Sequence, residues 1–349
     1  MHRVVPLPGR KSAHRNPAGC VAGKATQNTG QCRSAQRRSD PLSRSQKAPR
    51  PRSRRRRETP DMRTIGVIGL GNMGRGMALS LHRRGFAVMG YDPAPAAREA
   101  SAADGIAVAE GPRALWRDCE AVVLSLPNPD VVEAVLLGAD GPLHGAKAGL
   151  LVIDTSTSDP EVTRRIAAEL APAGIDLVDA PVSGGPKGAH AATLTMVIGG
   201  SDAAVARAEP VLAAMSATRV HVGGVGAGHV TKLANNLLCA AHLITAAEAV
   251  RMARDAGVDP ERLLAGINAG SGRSGVTQVN FPTWVLNGAF DSGFTMKLMR
   301  KDVRLAEALI GSLDLDLPLS AQVGRLWRDS AGTAPDDADF NAIVKLQLA

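Results

Sequence analysis

A glycine-rich segment, placed between a short apolar run and an amphipathic run, constrains the fold of this chain most strongly. The segment is Gly69-Leu70-Gly71-Asn72-Met73-Gly74. Residues 64–68 have the apolar pattern of a buried strand, and residues 75–81 have helical spacing. A GxGxxG pattern between a strand and a helix predicts the turn that binds the pyrophosphate of a dinucleotide. In order, its glycines allow a tight turn, close approach of the backbone to the pyrophosphate, and close helix–strand packing.

An acidic residue lies at the distance from this turn that such a site requires. A second strand is predicted over 86–91 and ends at Asp92, 18 residues after Gly74. An acid at this position hydrogen-bonds the ribose hydroxyls of the adenosine half and repels a 2′-phosphate. The next basic residue is Arg98. The sequence therefore favours NAD as the cofactor, with NADP as the alternative.

Further strand patterns alternate with helical ones. They lie at 121–126, 150–154 and 175–178, which predicts an α/β, Rossmann-type doubly wound sheet. Ligands of such sheets bind beyond the carboxyl ends of the strands. We therefore expect Leu126-Pro127 and Ser156-Thr157 to line the nicotinamide half of the cleft. The alternative is that these residues only cap the helices that follow.

The last third of the chain is helical in pattern. One long helix is predicted from Gly228 to Ala256, and Gly257 ends it. Further helices are predicted near 260–269, 276–287, 296–311 and 317–330, with a short one from Asp339. We therefore expect a basic tail over 1–61, a cofactor-binding domain over 62–226, and an all-α domain over 227–349 that begins with the long interdomain helix.

Two segments carry candidate chemistry. The loop 179–189 contains Ser183, Gly184 and Gly185, whose hydroxyl and backbone N–H groups suit a carboxylate. Its alternative interpretation is an ordinary Gly/Pro turn. Lys232 and Asn236 are four residues apart and share one face of the long helix. Their alternative interpretation is a pair of solvent-facing side chains.

These segments together resemble the β-hydroxyacid dehydrogenases, which include 3-hydroxyisobutyrate dehydrogenase and tartronate semialdehyde reductase and are related to 6-phosphogluconate dehydrogenase. The resemblance begins near Met62 and extends to the C-terminus. Four motifs match in order: Gly69 to Gly76, the loop 179–189, the set Gly226, Gly228, Lys232 and Asn236, and the set Lys301, Asp302, Leu305 and Ala306.

The resemblance implies a role for each site residue. Lys232 is implied as the catalytic acid/base, and Asn236 as its partner in holding the hydroxyl and carboxylate of the substrate. Ser183 to Gly185 are implied as the carboxylate site, and Lys301 as a cofactor contact from the second domain. A lysine in water has a pKa near 10.4, which is too high for an efficient base. We therefore expect burial and a nearby positive nicotinamide to lower the pKa of Lys232.

The resemblance also implies a small hydroxy-acid substrate, no metal, and a homodimer or homotetramer. It leaves 3-hydroxyisobutyrate, tartronate semialdehyde and related hydroxy acids open as substrates. One position departs from the family pattern, because Ala192 stands where the family usually has Gly before Thr-Leu-Thr. If this position requires a positive φ, alanine costs about 1 kcal/mol there.

The net charge of +8 belongs to the start of the chain. Residues 1–60 hold 13 Arg and 3 Lys against Asp40 and Glu58, which leaves a formal charge of −6 on the rest. The tail has three interpretations: a start codon placed upstream of Met62, an organellar transit peptide, or a basic arm for an anionic partner. The last of these supports a distant alternative, an inactive scaffold that binds nucleic acid.

Composition excludes several other classes. Aromatic residues are 3% of the chain, which argues against a base-stacking nucleic-acid binder. The apolar runs are too short for a transmembrane helix, so no membrane partner is expected. The four cysteines form no CxxC pair, which argues against a zinc site or a disulfide framework. A reducing compartment fits best, so we expect a cytoplasmic protein, with organellar import as the alternative.

Overall fold

The apolar runs of the first half become strands of one sheet. The computed structural model describes residues 63–348, so the predictions for the tail over 1–61 lie outside the described residues. The predicted strands are confirmed to within two residues. The described strands are β1 (Thr64–Ile68), β2 (Ala87–Tyr91), β3 (Ala107–Val108), β4 (Ala121–Leu124), β5 (Leu151–Asp154), β6 (Asp176–Asp179), β7 (Val182–Ser183), β8 (Leu194–Gly199) and β9 (Ser216–Gly223).

The sheet is parallel in its first part and mixed in its second. Its strand order is β3-β2-β1-β4-β5-β6-β8-β7, and β9 pairs with β8. From β3 to β6 all neighbours are parallel, with Val67 opposite both Gly90 and Val123. β8 runs antiparallel to β6 and β7 and parallel to β9. The doubly wound fold is therefore confirmed, with a mixed extension that the strand patterns did not predict.

Both faces of this sheet are covered, because alternate residues of each strand point to opposite sides. Val123 packs in one core cluster, whereas Val122 and Leu124 pack in another. Such burial on both faces explains why the strands are continuous apolar runs. The helices of this part are α1 (Asn72–Arg83), α2 (Pro95–Ala103), α3 (Pro112–Asp118), α4 (Pro129–Leu137), α5 (Pro160–Leu170), α6 (Gly185–Ala191) and α7 (Asp202–Met215), with 3₁₀ turns at Pro142–His144 and Ala171–Ala173.

The helical C-terminal region is confirmed, with one change of helix type. The segment predicted as a helix over 276–287 is a π-helix over Val276–Val285 and contains Pro282. Proline has no N–H to donate and clashes with the carbonyl four residues earlier, which disfavours an α-helix there. The other elements are α8 (Ala227–Asp255), α9 (Pro260–Ala269), α10 (Met296–Ser312), α11 (Pro318–Asp329) and α12 (Lys345–Leu348), with 3₁₀ turns at Ser330–Gly332 and Phe340–Val344.

The long helix α8 is both the longest described element and the connection between the sheet and the C-terminal helices. By length and composition alone it could cross a membrane, with a mean hydropathy of 1.3 over its most apolar window. One such helix is weak evidence, because the central helix of a globular core has the same composition. Leu243, Ala247 and Val250 of α8 are buried in a cluster with Phe281 and Trp327. Packing within the chain thus accounts for these apolar residues, whereas Leu238 and Met252 of the same helix are exposed.

Candidate active site

The glycine-rich turn is closely packed at two of its glycines and open at the third. Gly69 has a φ of +90°, and a Cβ there would lie 2.2 Å from the carbonyl oxygen of Ser125. A Cβ on Gly74 would lie 1.8 Å from the carbonyl oxygen of Gly69. A Cβ on Gly71, in contrast, would meet nothing within 4 Å. The turn is therefore closed on its protein side and open at Gly71, which fits a dinucleotide approaching the backbone.

The other residues of the turn differ in what they can offer. Leu70 is 2% exposed and packs in the core, so only its backbone can serve the site. Met73 is partly buried against the same cluster. Asn72 is exposed and begins α1. Of these three side chains, that of Asn72 is the one that faces solvent at the helix N-terminus.

Asp92 lies beside this turn, as its spacing predicts. Its carboxylate oxygens accept hydrogen bonds from the N–H of Leu70 at 2.8 Å and from the N–H of Ala94 at 2.8 Å. The guanidinium of Arg98 lies at the same strand end, where Nη1 donates to the carbonyl oxygens of Asp92 at 2.6 Å and Pro93 at 3.1 Å. The end of β2 therefore presents a carboxylate held by backbone N–H groups, with a cation nearby.

The residues that follow β4 and β5 are in contact at one edge of the sheet, as the sequence predicts. The N–H of Leu126 donates to Oγ of Ser156 at 3.0 Å, and Pro127 follows Leu126 at the exposed edge. The alternative that Ser156 and Thr157 cap the next helix is wrong. Asp159 caps α5 instead, by accepting a hydrogen bond from the N–H of Glu161 at 2.8 Å.

Lys232 reaches the loop that was expected to bind a carboxylate. Its Nζ donates to Oγ of Ser183 at 3.0 Å. Gly184 and Gly185, which follow Ser183, have φ angles of +124° and +61° and thus turn the backbone at this point. Lys232 is 8% exposed, so it is not one of the solvent-facing residues of α8.

Burial lowers the pKa of Lys232 from its ordinary value. The negative charge of Asp302 acts in the opposite direction, as does Cys239, whereas the positive charge of Lys301 lowers the pKa further. Desolvation is the larger influence because it disfavours the charged ammonium directly. The arrangement thus favours a neutral amine at Lys232 more than water does.

Asn236 and Lys301 are joined by a residue whose role was not predicted. Nδ2 of Asn236 donates to Oδ2 of Asp302 at 2.6 Å, and Nζ of Lys301 lies 3.1 Å from Oδ1 of the same carboxylate. Asp302 is 1% exposed. In the sequence it is visible only as the second residue of a Lys-Asp motif, and nothing there indicates that it is buried. Its carboxylate is hydrogen-bonded to the amide of Asn236 and forms an ion pair with Lys301.

Lys301 also connects the helical region to the sheet. Its Nζ donates to the carbonyl oxygen of Thr157 at 3.1 Å, across 144 residues of sequence. Through Lys301 and Lys232, helices α10 and α8 both contact the edge where the strands end. Within residues 63–348 no group of three or more His, Cys, Asp or Glu side chains could hold a metal ion.

Ala192, which stands where the family usually has Gly, has the positive φ that a glycine at this position indicates. Ala192 follows the last residue of α6 and has a φ of +56° and a ψ of +36°, which is the left-handed conformation. An L-residue with a Cβ is strained there by about 1–2 kcal/mol. The position therefore requires a positive φ, as the usual glycine indicates.

Comparisons with known proteins agree with this arrangement. Residues 64–224 match the family model for the NAD-binding domain of 6-phosphogluconate dehydrogenase. Residues 226–347 match the model for the NAD-binding region of NADP-dependent 3-hydroxyisobutyrate dehydrogenase. Together the two models span most of the chain.

Individual relatives cover nearly their whole lengths. The 2-(hydroxymethyl)glutarate dehydrogenase of Eubacterium barkeri is 36% identical over 282 residues, 81% of this chain and 94% of the relative. The probable 3-hydroxyisobutyrate dehydrogenase of Mycobacterium tuberculosis is 34% identical over 289 residues, 81% of this chain and 97% of the relative. A solved structure of M. tuberculosis 3-hydroxyisobutyrate dehydrogenase with L-serine has a TM-score of 0.78 at 34% identity, covering 82% of this chain and 100% of that one. The chain therefore belongs to the β-hydroxyacid dehydrogenase family and is an NAD(P)-dependent hydroxyacid dehydrogenase.

Proposed function

We propose that this enzyme oxidises a small β-hydroxy acid of the 3-hydroxyisobutyrate type, with NAD preferred, and that Lys232 is its general acid/base. The observation that carries the proposal is the contact of 3.0 Å between Nζ of the buried Lys232 and Oγ of Ser183. A base and a carboxylate-binding loop in contact suit a substrate whose hydroxyl and carboxylate are one or two carbons apart.

In this proposal, cofactor binding and proton transfer are carried out by different residues of the chain. Bound NAD(P) supplies the hydride acceptor, and the glycine-rich turn with Asp92 would hold its adenosine and pyrophosphate. In the oxidation, neutral Lys232 takes the hydroxyl proton of the substrate. In the reduction, protonated Lys232 returns that proton to the carbonyl oxygen. The lowered pKa of Lys232 makes the neutral form more accessible than it is for a lysine in water.

Binding and orientation fall to the neighbouring residues. Ser183 would donate its hydroxyl, and Gly184 and Gly185 their backbone N–H groups, to the substrate carboxylate. One N–H of the Asn236 amide is held by Asp302 at 2.6 Å, and the second can donate to the substrate hydroxyl. Lys301 holds Thr157 and would close the cofactor cleft from the helical side.

The named substrates and ligand of the relatives share one chemical unit. 3-Hydroxyisobutyrate, 2-(hydroxymethyl)glutarate and L-serine each carry a hydroxymethyl group on the carbon that bears a carboxylate. They differ in the third substituent, which is a methyl, a carboxyethyl or an amino group. The reduction product of tartronate semialdehyde carries a hydroxyl there. We propose that the substrates are acids with a hydroxymethyl group on the carbon that bears the carboxylate. We propose 3-hydroxyisobutyrate, in which the third substituent is a methyl group, as the preferred one.

The preference for NAD follows from Asp92. A carboxylate fixed by two backbone N–H groups suits ribose hydroxyls and repels a 2′-phosphate. NADP is the alternative, supported by Arg98 at the same strand end and by the description of the family model for residues 226–347.

Three further expectations belong to the proposal. A homodimer or homotetramer would cover Leu238 and Met252, which are 59% and 70% exposed on α8; light scattering of the purified chain tests it. Limited proteolysis tests the domain division at 226–227, and cell fractionation tests a cytoplasmic location.

Salt-dependent DNA binding by the full chain would support the distant alternative, in which the basic tail over 1–61 is an arm that binds nucleic acid.

A substrate and cofactor panel tests the proposed function. The full chain is assayed by reduced-nicotinamide absorbance with NAD or NADP against 3-hydroxyisobutyrate, 2-(hydroxymethyl)glutarate, D-glycerate and L-serine. We expect turnover of acids with the shared unit, the highest kcat/KM for 3-hydroxyisobutyrate, and a higher kcat/KM with NAD. A folded, cofactor-binding protein that oxidises none of the four would contradict the substrate class.

A further inference from the structure

A histidine that belongs to none of the expected site residues is buried at the N-terminus of the catalytic helix. His229 is the third residue of α8, three positions before Lys232, and it is 0% exposed. Its Nε2 lies 3.0 Å from the carbonyl oxygen of Ser156, and its Nδ1 lies 2.9 Å from Oγ1 of Thr163. The ring therefore joins the helix that carries Lys232 to β5 and α5 of the cofactor-binding region.

The partners of the ring determine its proton positions. A carbonyl oxygen only accepts, so Nε2 carries a proton and donates it to Ser156. Oγ1 of Thr163 lies 2.9 Å from Nδ1 and 2.9 Å from the carbonyl oxygen of Asp159, so its single proton can be donated to only one of the two. The ring is thus held at both nitrogens. Two carboxylates face it, with Oδ2 of Asp154 at 3.8 Å from Nε2 and Oδ2 of Asp179 at 3.9 Å from Nδ1.

The backbone around His229 is also hydrogen-bonded to the sheet. Asp179, the last residue of β6, accepts hydrogen bonds from the N–H of Gly226 at 2.7 Å and from the N–H of His229 at 2.9 Å. A Cβ on Gly228 would lie 2.7 Å from the carbonyl oxygens of Asp179 and Val197. Asp179 also begins the loop 179–189 that contains Ser183, so one carboxylate connects this loop to the start of α8.

Ser156 connects His229 to the segment that is expected to line the nicotinamide half of the cleft. Its Oγ accepts from the N–H of Leu126, its carbonyl accepts from His229, and the next carbonyl, of Thr157, accepts from Lys301. The segment expected to line the nicotinamide half of the cleft is therefore tied to α8 by the imidazole of His229. A change at this bond would shift Lys232 relative to that edge.

We propose that His229 is a positioning residue, which fixes the distance between Lys232 and the nicotinamide edge through two hydrogen bonds of its ring, Nε2–H to the carbonyl of Ser156 and Nδ1 to the hydroxyl of Thr163. The inference rests on the proposed function, in which Lys232 is the acid/base. His229 differs from the residues that contact substrate, because its ring is enclosed by Ser156, Thr163 and the carboxylates of Asp154 and Asp179. A displacement of about 1 Å at a reacting group can lower a rate about 100-fold.

The test compares two substitutions of His229 in the full-length enzyme with a matched histidine on the same helix. His229→Leu removes both hydrogen bonds at similar size. His229→Gln keeps an N–H for Ser156 and an oxygen for Thr163. His242→Leu, further along α8 and partly buried, is the control. Each variant is measured for kcat, for KM of the best hydroxy acid and for its thermal unfolding midpoint.

We expect His229→Leu to lower kcat about 10- to 100-fold with a change in KM of less than about threefold. His229→Gln should restore kcat to within about threefold of the parent, and His242→Leu should match the parent. A role in stability alone would lower the midpoint and leave kcat of the folded fraction unchanged. A His229→Leu enzyme with the parent kcat, or a His229→Gln enzyme as slow as His229→Leu, would overturn the proposal.

A second variant covers the case in which His229→Leu does not fold. Thr163→Val removes the hydroxyl at Nδ1 at equal size. The carbonyl of Asp159 loses its bond from the same hydroxyl but keeps its bond from the N–H of residue 163 at 3.0 Å. A fall in kcat of about threefold or more supports the inference, and an unchanged kcat overturns it. If the unsubstituted enzyme oxidises no hydroxy acid, the proposed function itself fails. An active enzyme that is indifferent to His229 overturns the positioning role alone.

Discussion

The amino group of Lys232 lies 3.0 Å from the hydroxyl of Ser183, although 49 residues separate the two in sequence. Lys232 comes from α8 and Ser183 from the short strand β7. Their contact brings a buried amine to the loop whose serine and glycines can bind a carboxylate. The predictions below follow from this pair and from the groups that surround it.

The first prediction concerns pH. Because burial lowers the pKa of Lys232, the neutral amine that serves as base forms below the ordinary lysine pKa of roughly 10.4. We expect kcat/KM for oxidation to rise with pH through the pKa of Lys232 and to level off above it. The reduction should show the opposite trend, because it needs the protonated amine. Profiles in either direction that show no titration below the ordinary lysine pKa of roughly 10.4 would count against this role.

The second prediction concerns the serine. Ser183→Ala removes one hydrogen-bond donor from the proposed carboxylate site, together with the oxygen that accepts from Nζ of Lys232. A hydrogen bond to a charged group is worth about 1.5–3 kcal/mol, so we expect KM for the hydroxy acid to rise about 10-fold or more. KM for NAD should change little. Ser312→Ala, at the exposed end of α10, is the control. An unchanged KM in Ser183→Ala would remove Ser183 from the carboxylate site.

The third prediction concerns cofactor choice. Asp92→Ala removes the carboxylate that is proposed to accept the ribose hydroxyls and to repel a 2′-phosphate. We expect kcat/KM with NAD to fall about 100-fold or more, because two hydrogen bonds to a charged group are lost at about 1.5–3 kcal/mol each, and kcat/KM with NADP to rise. Asp104→Ala, a carboxylate that pairs with Arg75 instead, is the matched control. An unchanged ratio of NAD to NADP efficiency in Asp92→Ala would contradict the proposed preference.

The fourth prediction concerns stability. Ala192 has a φ of +56°, so Ala192→Gly relieves left-handed strain, and the greater freedom of glycine in the unfolded chain offsets part of the gain. We expect the free energy of unfolding to rise by up to about 1 kcal/mol, a shift of about 2 °C in the unfolding midpoint. Ala191→Gly, one residue earlier and inside α6, should lower it. A lower midpoint for Ala192→Gly would show that strain at this residue is not the dominant effect.

Local patterns predicted the parts of this structure that depend on neighbouring residues. The glycine turn is such a part, because Gly69 and Gly74 are required by contacts within the turn and with the adjacent strand. The helices of the C-terminal region follow the spacing of their apolar residues. Helical spacing also placed Lys232 and Asn236 on one face of α8, and both are buried there.

The remaining features depend on partners that are distant in sequence. Strands β7, β8 and β9 pair in a mixed order that no local pattern specifies, and β7 has only two residues. Asp302 is 66 residues from the amide that donates to it, and His229 is 73 residues from the carbonyl it contacts. The sequence shows these two only as an acid beside a lysine and a histidine in a helix. Their functions follow from the folding of α8 and α10 against the same strand ends.

Substitution of Lys232 tests the central claim most directly. The full-length enzyme, Lys232→Ala and the control Lys297→Ala, an exposed lysine on α10, are compared for kcat with the best hydroxy acid and for binding of reduced cofactor. We predict that Lys232→Ala lowers kcat about 10²- to 10⁴-fold while cofactor binding is retained, and that Lys297→Ala matches the parent. A folded, cofactor-binding Lys232→Ala enzyme with a kcat within about tenfold of the parent would contradict the assignment of Lys232 as the general acid/base.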